Sequence, residues 1–247
     1  MQKSLLLAAV ILAVCSRQTL AATVGNWRFE EGQAGSPASG TGSIIDSSGN
    51  GFSGTQMNGP VYSSSVAANP VPQTGAANNL SLNFNGNGQF IYVPDETAFQ
   101  FTQSMTLEAY VYIRSAPSGV DRYIIFRGDD RIGYDPYSLG VANGNIDFRI
   151  SNSSNVTTTV SAPIPEYDEW LHVAGTLDNA TGHMDLYVDN ALEASTVTSN
   201  RSFGPLEATQ IPGLGIGNTE DGNYFEYFDG LIAIPFNGHS KKSRLRP

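Results

Sequence analysis

The chain has 247 residues, 40% of them hydrophobic and 15% charged, with 26 Gly, 13 Pro, one Cys and a formal net charge of −10. Charge this sparse beside abundant Tyr and Phe excludes a disordered tail and leaves one globular domain as the simplest organisation. A pI near 4.6 excludes nucleic acid as a partner, because neutralising phosphates needs Lys and Arg clustered on one face.

The charge falls into three segments. Lysine occurs only as Lys3, Lys241 and Lys242, so residues 23–238 carry 7 Arg against 23 acidic residues, a net −16, while residues 1–22 carry +2 and residues 239–247 carry +4. The first segment reads as a secretory signal: Lys3 gives a positive start, Leu5 to Cys15 is an apolar run, and Thr19-Leu20-Ala21-Ala22 supplies small residues for cleavage. As a helix that run would span roughly 16 Å, about half of a hydrocarbon core, so it predicts export rather than a membrane span. Cys15 leaves a second reading, a lipidated cysteine, although Val14 stands where that signal carries Gly, Ala or Ser. Cleavage after Ala21 or Ala22 leaves no Cys, and the domain must then be stabilised by core area rather than disulfides.

From Thr23 to Ile234 helical periodicity is absent and period-two alternation recurs. It predicts strands in chain order at Leu80–Phe84, Phe90–Val93, Met105–Ile113, Ile146–Ile150, Trp170–Ala174 and Met184–Val188. Asn-Gly, Gly-Asn, Asp-Asn and Pro-Ser-Gly clusters between them are turn chemistry, since Gly and Asn accept positive φ. Many short strands with such spacing predict an all-β, two-sheet antiparallel sandwich of jelly-roll type. Gln33–Gly42 and Ser63–Asn79, poor in large apolar residues, read as surface loops or crossovers.

Stretches in order carry a family resemblance: Trp27-Arg28-Phe29-Glu30-Glu31-Gly32, Asp46-Ser47-Ser48-Gly49-Asn50-Gly51-Phe52-Ser53-Gly54, Leu82 to Gly86 and Tyr92-Val93-Pro94. Trp170 to Asp178, Met184 to Asn190, Leu214 to Asn218 and Phe228 to Ile232 continue it. The chain resembles the laminin-G-like jelly roll of the concanavalin A-like lectin/glucanase superfamily over residues 23–234. The resemblance implies two face-to-face sheets with loops that often bear calcium or bind a glycan or protein, in extracellular adhesive or recognition modules that are mostly not enzymes. The sequence departs from it after Ile232, where the family continues with an acidic pair. Here Pro235 is expected to end the last strand, and residues 235–247 turn basic, either by a shifted or shortened reading frame or as a genuine basic tail.

Candidate sites follow. The Asp46 to Gly54 turn has the oxygen density of a calcium site, with Glu30, Asp46 and Asn50 as metal ligands; the alternative is that Asp46 and Asn50 hydrogen-bond their own turn. Arg127, Asp129, Asp130, Arg131 and Tyr134 to Tyr137 form one polar, aromatic stretch and Asn223 to Phe228 another, and Arg127, Asp129, Tyr137 and Tyr224 are the candidate ligand-binding residues, since Tyr with Asp and Asn suits stacking on sugars and bonding their hydroxyls; the alternative places alternate aromatics in the core and pairs Arg with Asp. The Glu166-Tyr167-Asp168-Glu169 cluster resembles that of retaining glucanases, but its spacing sends Glu169 to the opposite face from Glu166 and Asp168, so it predicts no catalytic pair. The glycines of Gly49 to Gly54 precede no helix and hold no dinucleotide. The three His are scattered, which leaves a catalytic triad or zinc site without support. Five Asn-x-Ser/Thr sequons, at Asn79, Asn152, Asn155, Asn179 and Asn200, matter only in a host that glycosylates. The sequence thus predicts a secreted, non-enzymatic module that binds carbohydrate or an extracellular protein through loops, with calcium as a structural aid. A glucanase-like enzyme on the same fold, or a structural module without ligand, are the alternatives.

Overall fold

The computed structural model describes residues 22–67, 75–222 and 225–238, with backbone alone for 234–237. The signal-like segment through Ala21, Tyr224 and the tail from His239 lie outside the described residues. Fifteen strands follow in chain order. The first five are β1 (Thr23–Asn26), β2 (Thr55–Met57), β3 (Val61–Ser63), β4 (Ser81–Asn85) and β5 (Phe90–Pro94). Then come β6 (Met105–Ile113), β7 (Asp121–Gly128), β8 (Tyr137–Ala142), β9 (Asn145–Ser151) and β10 (Thr157–Pro163). The last are β11 (Trp170–Leu177), β12 (His183–Val188), β13 (Ala191–Val197), β14 (Gly213–Ile216) and β15 (Asp229–Gly238).

They form two sheets, one ordered β13-β12-β11-β6-β15-β4-β3 with β1 also paired to β15, the other β10-β9-β8-β7-β14-β5-β2. Every recorded strand pairing is antiparallel, and the two sheets pack as the jelly-roll sandwich that the alternation predicts. β6 shows the physical rule most plainly: Met105, Leu107, Ala109, Val111 and Ile113 are buried, while the residues between them face outward. In the second sheet the register sets Ile91, Ile216, Ile125, Leu139, Phe148 and Val160 in one inward row. The two inner faces interlock, because the Phe148 ring occupies the space that a Cβ on Gly175 of the opposite sheet would need.

One expectation is corrected. Pro235 does not end the last strand: β15 continues to Gly238, pairing β6 at Phe236, Asn237 and Gly238 and β1 along its other edge. The register with β6 breaks between Ala233 and Phe236, so the proline falls at an irregularity where a missing ladder donor is tolerated.

Candidate functional site

β7 reads Asp-Arg-Tyr-Ile-Ile-Phe-Arg-Gly, and its two central isoleucines are both fully buried because the register shifts between Tyr123 and Ile125. That irregularity puts Tyr123 and Phe126, three positions apart, on the same outer face, where their rings lie 4.7 Å apart at 49°. Phe126 belongs to an outer row with Tyr92, Gly215, Ser138 and Arg149. Two glycines make room. At Gly140 a Cβ would meet the Arg122 carbonyl at 2.6 Å and the Tyr123 ring at 3.2 Å, so its absence lets that side chain lie against the sheet. At Gly215 a Cβ would meet the Asn218 carbonyl at 2.3 Å, so the chain after β14 folds back over the face and delivers Thr219 and Glu220 there. The following segment is tied down by the Tyr123 amide donating to the Glu226 carbonyl at 3.2 Å and by the Arg122 Nη1 donating to the Tyr227 carbonyl at 3.1 Å.

The result is a groove of about 280 Å³ on the outer face of the seven-stranded sheet, with Tyr123 and Phe126, the β7–β8 connection and Glu220 and Glu226 among its walls. That volume is close to the lower end of small-ligand sites, roughly 300 Å³. A shallower extension shares Asp121 and Glu226 with it and carries Phe225, which is 88% exposed.

Two kinds of carboxylate line the groove. Asp129 and Asp121 are paired. Arg131 donates from Nε and Nη2 to Asp129, the shorter bond being 2.7 Å, and the Glu207 amide adds a bond at 2.9 Å. Burial alone would raise the Asp129 carboxyl, but these donors outweigh it and hold it below its usual value. Arg149 bridges Asp121 at 2.5 Å and Asp147 at 2.7 Å. Asp135, Glu220 and Glu226 make no ion pair among the described residues. Burial, with mutual repulsion added, pushes Asp135 and Glu226 up to about 7 and Glu220 up to about 9. Glu220 is 2% exposed and its Oε2 is buried with no hydrogen-bond partner. Asp130, Glu220 and Asp221 bring carboxylate oxygens within 4.8 Å of one another, the donor set among the described residues best suited to a cation. Strongly shifted groups gathered in a cleft are a physical mark of a functional site.

Of the described residues expected from sequence to contact a ligand, only Asp129 lines this groove. Arg127 and Tyr137 are corrected: neither side chain is exposed, because alternation along β7 and β8 turns both inward. Arg127 makes a two-pronged pair with Asp95 at 2.8 and 3.0 Å and bonds the Gly204 carbonyl at 2.9 Å, and the Tyr137 hydroxyl donates to the Phe99 carbonyl at 3.0 Å. Both brace the end of the core. Tyr224 lies outside the described residues.

The expected metal ligands are likewise occupied by the chain itself. Asp46 Oδ1 accepts from the amides of Asn26 and Ser48 at 3.0 and 2.8 Å, and its Oδ2 from the Ser48 hydroxyl and the Phe52 amide at 2.7 and 3.0 Å. Asn50 Nδ2 donates to the carbonyls of Thr23 and Val24, and Glu30 accepts from the amides of Asn79 and Leu80 and from Asn79 Nδ2. The bonds from Ser48 and Phe52 to Asp46 are the turn-bonding role that stood as the alternative to calcium, whereas Asn50 ties the turn to β1 and Glu30 holds the segment before β4. Glu166, Asp168 and Glu169 are exposed on the connection between β10 and β11 and do not line the groove. Sequence reasoning missed Asp135, Glu220 and Glu226; Asp135 and Glu226 stood inside the two aromatic stretches it singled out, and only the fold brings all three together.

The fold defines a lectin-like sandwich of the kind used in binding domains. A family model of the concanavalin A-like lectin/glucanases superfamily matches residues 85–233, more than half of the chain, and the chain belongs to that superfamily. Among solved structures it is similar to domain 4 of AbnA, a GH43 extracellular arabinanase from Geobacillus stearothermophilus solved with arabinotriose, at 16% identity and TM-score 0.61, over 91% of this chain and 97% of that one. The binding domain of botulinum neurotoxin serotype G matches at 10% identity and TM-score 0.61, over 90% of this chain and 49% of that one. The binding domain of Paraclostridial Mosquitocidal Protein 1 matches at 13% identity and TM-score 0.58, over 85% and 49%. The chain thus spans about half the length of these toxin domains, and at such identities the likeness is one of fold. No curated protein matches the sequence.

Proposed function

We propose that the protein is a secreted, non-catalytic carbohydrate-binding module and that the groove on the outer face of the seven-stranded sheet is its ligand site. The observation that carries this reading is the composition of the groove. Two aromatic rings form an apolar wall beside Ser138 and the carboxylates of Asp135 and Glu226, the pairing of flat apolar surface with oriented polar groups that a sugar ring needs. Export is part of the proposal and rests on the sequence of residues 1–22; no helix among the described residues is long and apolar enough to cross a membrane. Calcium is no part of this proposal; the Asp46 oxygens expected to hold it accept from backbone amides. A glycan array run with and without chelator tests the reading. Binding that survives chelation and is lost in Tyr123→Ala supports it, and a silent array overturns it.

A second reading, glycan hydrolysis, is favoured by the placing of Asp135 and Glu226 together in the groove, where burial pushes both up to about 7, the range useful to a general acid. Release of reducing ends from a polysaccharide panel, abolished by Glu226→Gln, would establish it.

A further inference from the structure

The groove gathers carboxyl groups that no cation among the described residues pairs. The described residues contain no lysine, so among them arginine is the only side chain with a permanent positive charge. Of the two arginines in the lining, Arg131 is engaged by Asp129, and Arg149 is shared between Asp121 and Asp147. Asp135, Glu220 and Glu226 therefore face the cavity without an ion-pair partner, and Glu220, almost wholly buried, holds an oxygen with no hydrogen-bond donor. Unsatisfied buried carboxylates cost stability, and a ligand that brings a cation relieves that cost on binding.

The lining also selects the kind of cation. A hard metal ion takes six to eight oxygens in a compact shell. Here Tyr123 and Phe126 present ring surface to the same space, and aromatic faces beside carboxylates suit an organic ammonium, which gains from the ring quadrupole and from charge-assisted hydrogen bonds together.

Resting on the carbohydrate reading of this groove, we infer that it is selective for sugars with a free amine, a 2-amino sugar within a glycan, with Asp135, Glu220 and Glu226 as counter-ions and Tyr123 and Phe126 as the apolar wall. The net charge of −16 over residues 23–238 adds long-range attraction for such a polycationic chain.

Calorimetric titration of the full chain with β-1,4-linked oligomers of glucosamine, N-acetylglucosamine and glucose of equal length tests this. The glucosamine oligomer is expected to bind about tenfold tighter than the other two, with a preference that shrinks as salt is added. Glu226→Gln and Asp135→Asn, each checked for an intact thermal transition, are expected to reduce that preference to about twofold. Equal affinity for the three oligomers overturns the inference and leaves the carbohydrate reading standing. Failure of all three together with a silent glycan array overturns both. Stoichiometric binding of calcium alone that displaces the glucosamine oligomer assigns these carboxylates to a metal and also overturns the inference.

Discussion

The turn at residues 46–54 and the groove at residues 121–226 both carry acidic side chains on loops, and they use them in opposite ways. Asp46 receives four hydrogen bonds, three of them from backbone amides, and it fixes the turn against β1. Trp27, whose indole donates to the Phe52 carbonyl at 2.8 Å, fastens the same turn to the core. In the groove Asp135 and Glu226 accept no such fastening from the described residues, and Glu220 keeps a buried oxygen without a donor. A carboxylate surrounded by amides stabilises the chain, whereas one surrounded by other carboxylates is held at a cost that the rest of the fold offsets. The second arrangement is the one that a ligand can complete.

The contrast can be broken at its strongest point first. Asp46→Ala removes an acceptor shared by four donors and is expected to cost about 3–5 kcal/mol, lowering Tm by roughly 10 °C, while glycan affinity of the protein still folded at low temperature stays unchanged. Calorimetry paired with binding at 10 °C checks both halves; lost affinity at full folding would tie the turn to the site. Next, Gly215→Val should place a side chain where the Asn218 carbonyl now lies, at 2.3 Å from the first added carbon, and push the Glu220 segment off the sheet. A loss of about 1–3 kcal/mol and a collapse of binding are expected together, in contrast to Asp46→Ala.

Glu220 supplies a smaller effect with a definite sign. Its carboxyl is raised from 4.5 to about 9, so between those values the folded state holds a proton that the unfolded state has released. Stability is therefore fully present below about 4.5 and declines as pH rises toward about 9. Glu220→Gln removes that decline and should raise stability at pH 8 by on the order of 1–2 kcal/mol, with little change at pH 4.5. Parallel melting curves across this range test it, and an unchanged slope would mean that Glu220 is already ionised in the fold. The smallest effect is expected at the rim: Ile132, 84% exposed, can be replaced by Ser with stability unchanged to within about 0.5 kcal/mol.

The alternation of β6, β9 and β12 and the turn chemistry between strands are local properties, so the sandwich was legible from sequence. β7 was not, because its Tyr-Ile-Ile-Phe run has no alternation until the break in register restores it. The Asp46 turn was legible as a motif, and its two readings differed only in whether amides or a cation meet the oxygens, a matter of where Asn26 and Phe52 point. Arg127 and Tyr137 looked like binding residues because residue type says nothing about which face of a strand is inward.

Sequence by itself determined the all-β class and the Lys-free acidity of residues 23–238, since each follows from composition or from patterns within a few residues, and it carried the family resemblance in the order of motifs along the chain. Only the tertiary structure decided which acids matter. Asp135, Glu220 and Glu226 come from two connections far apart in the chain, and their shared burial beside Tyr123 and Phe126 exists only once β7, β8 and β14 are paired. Burial and mutual repulsion, which depend on distance in space and not along the chain, then give these three carboxylates a chemistry that their neighbours lack.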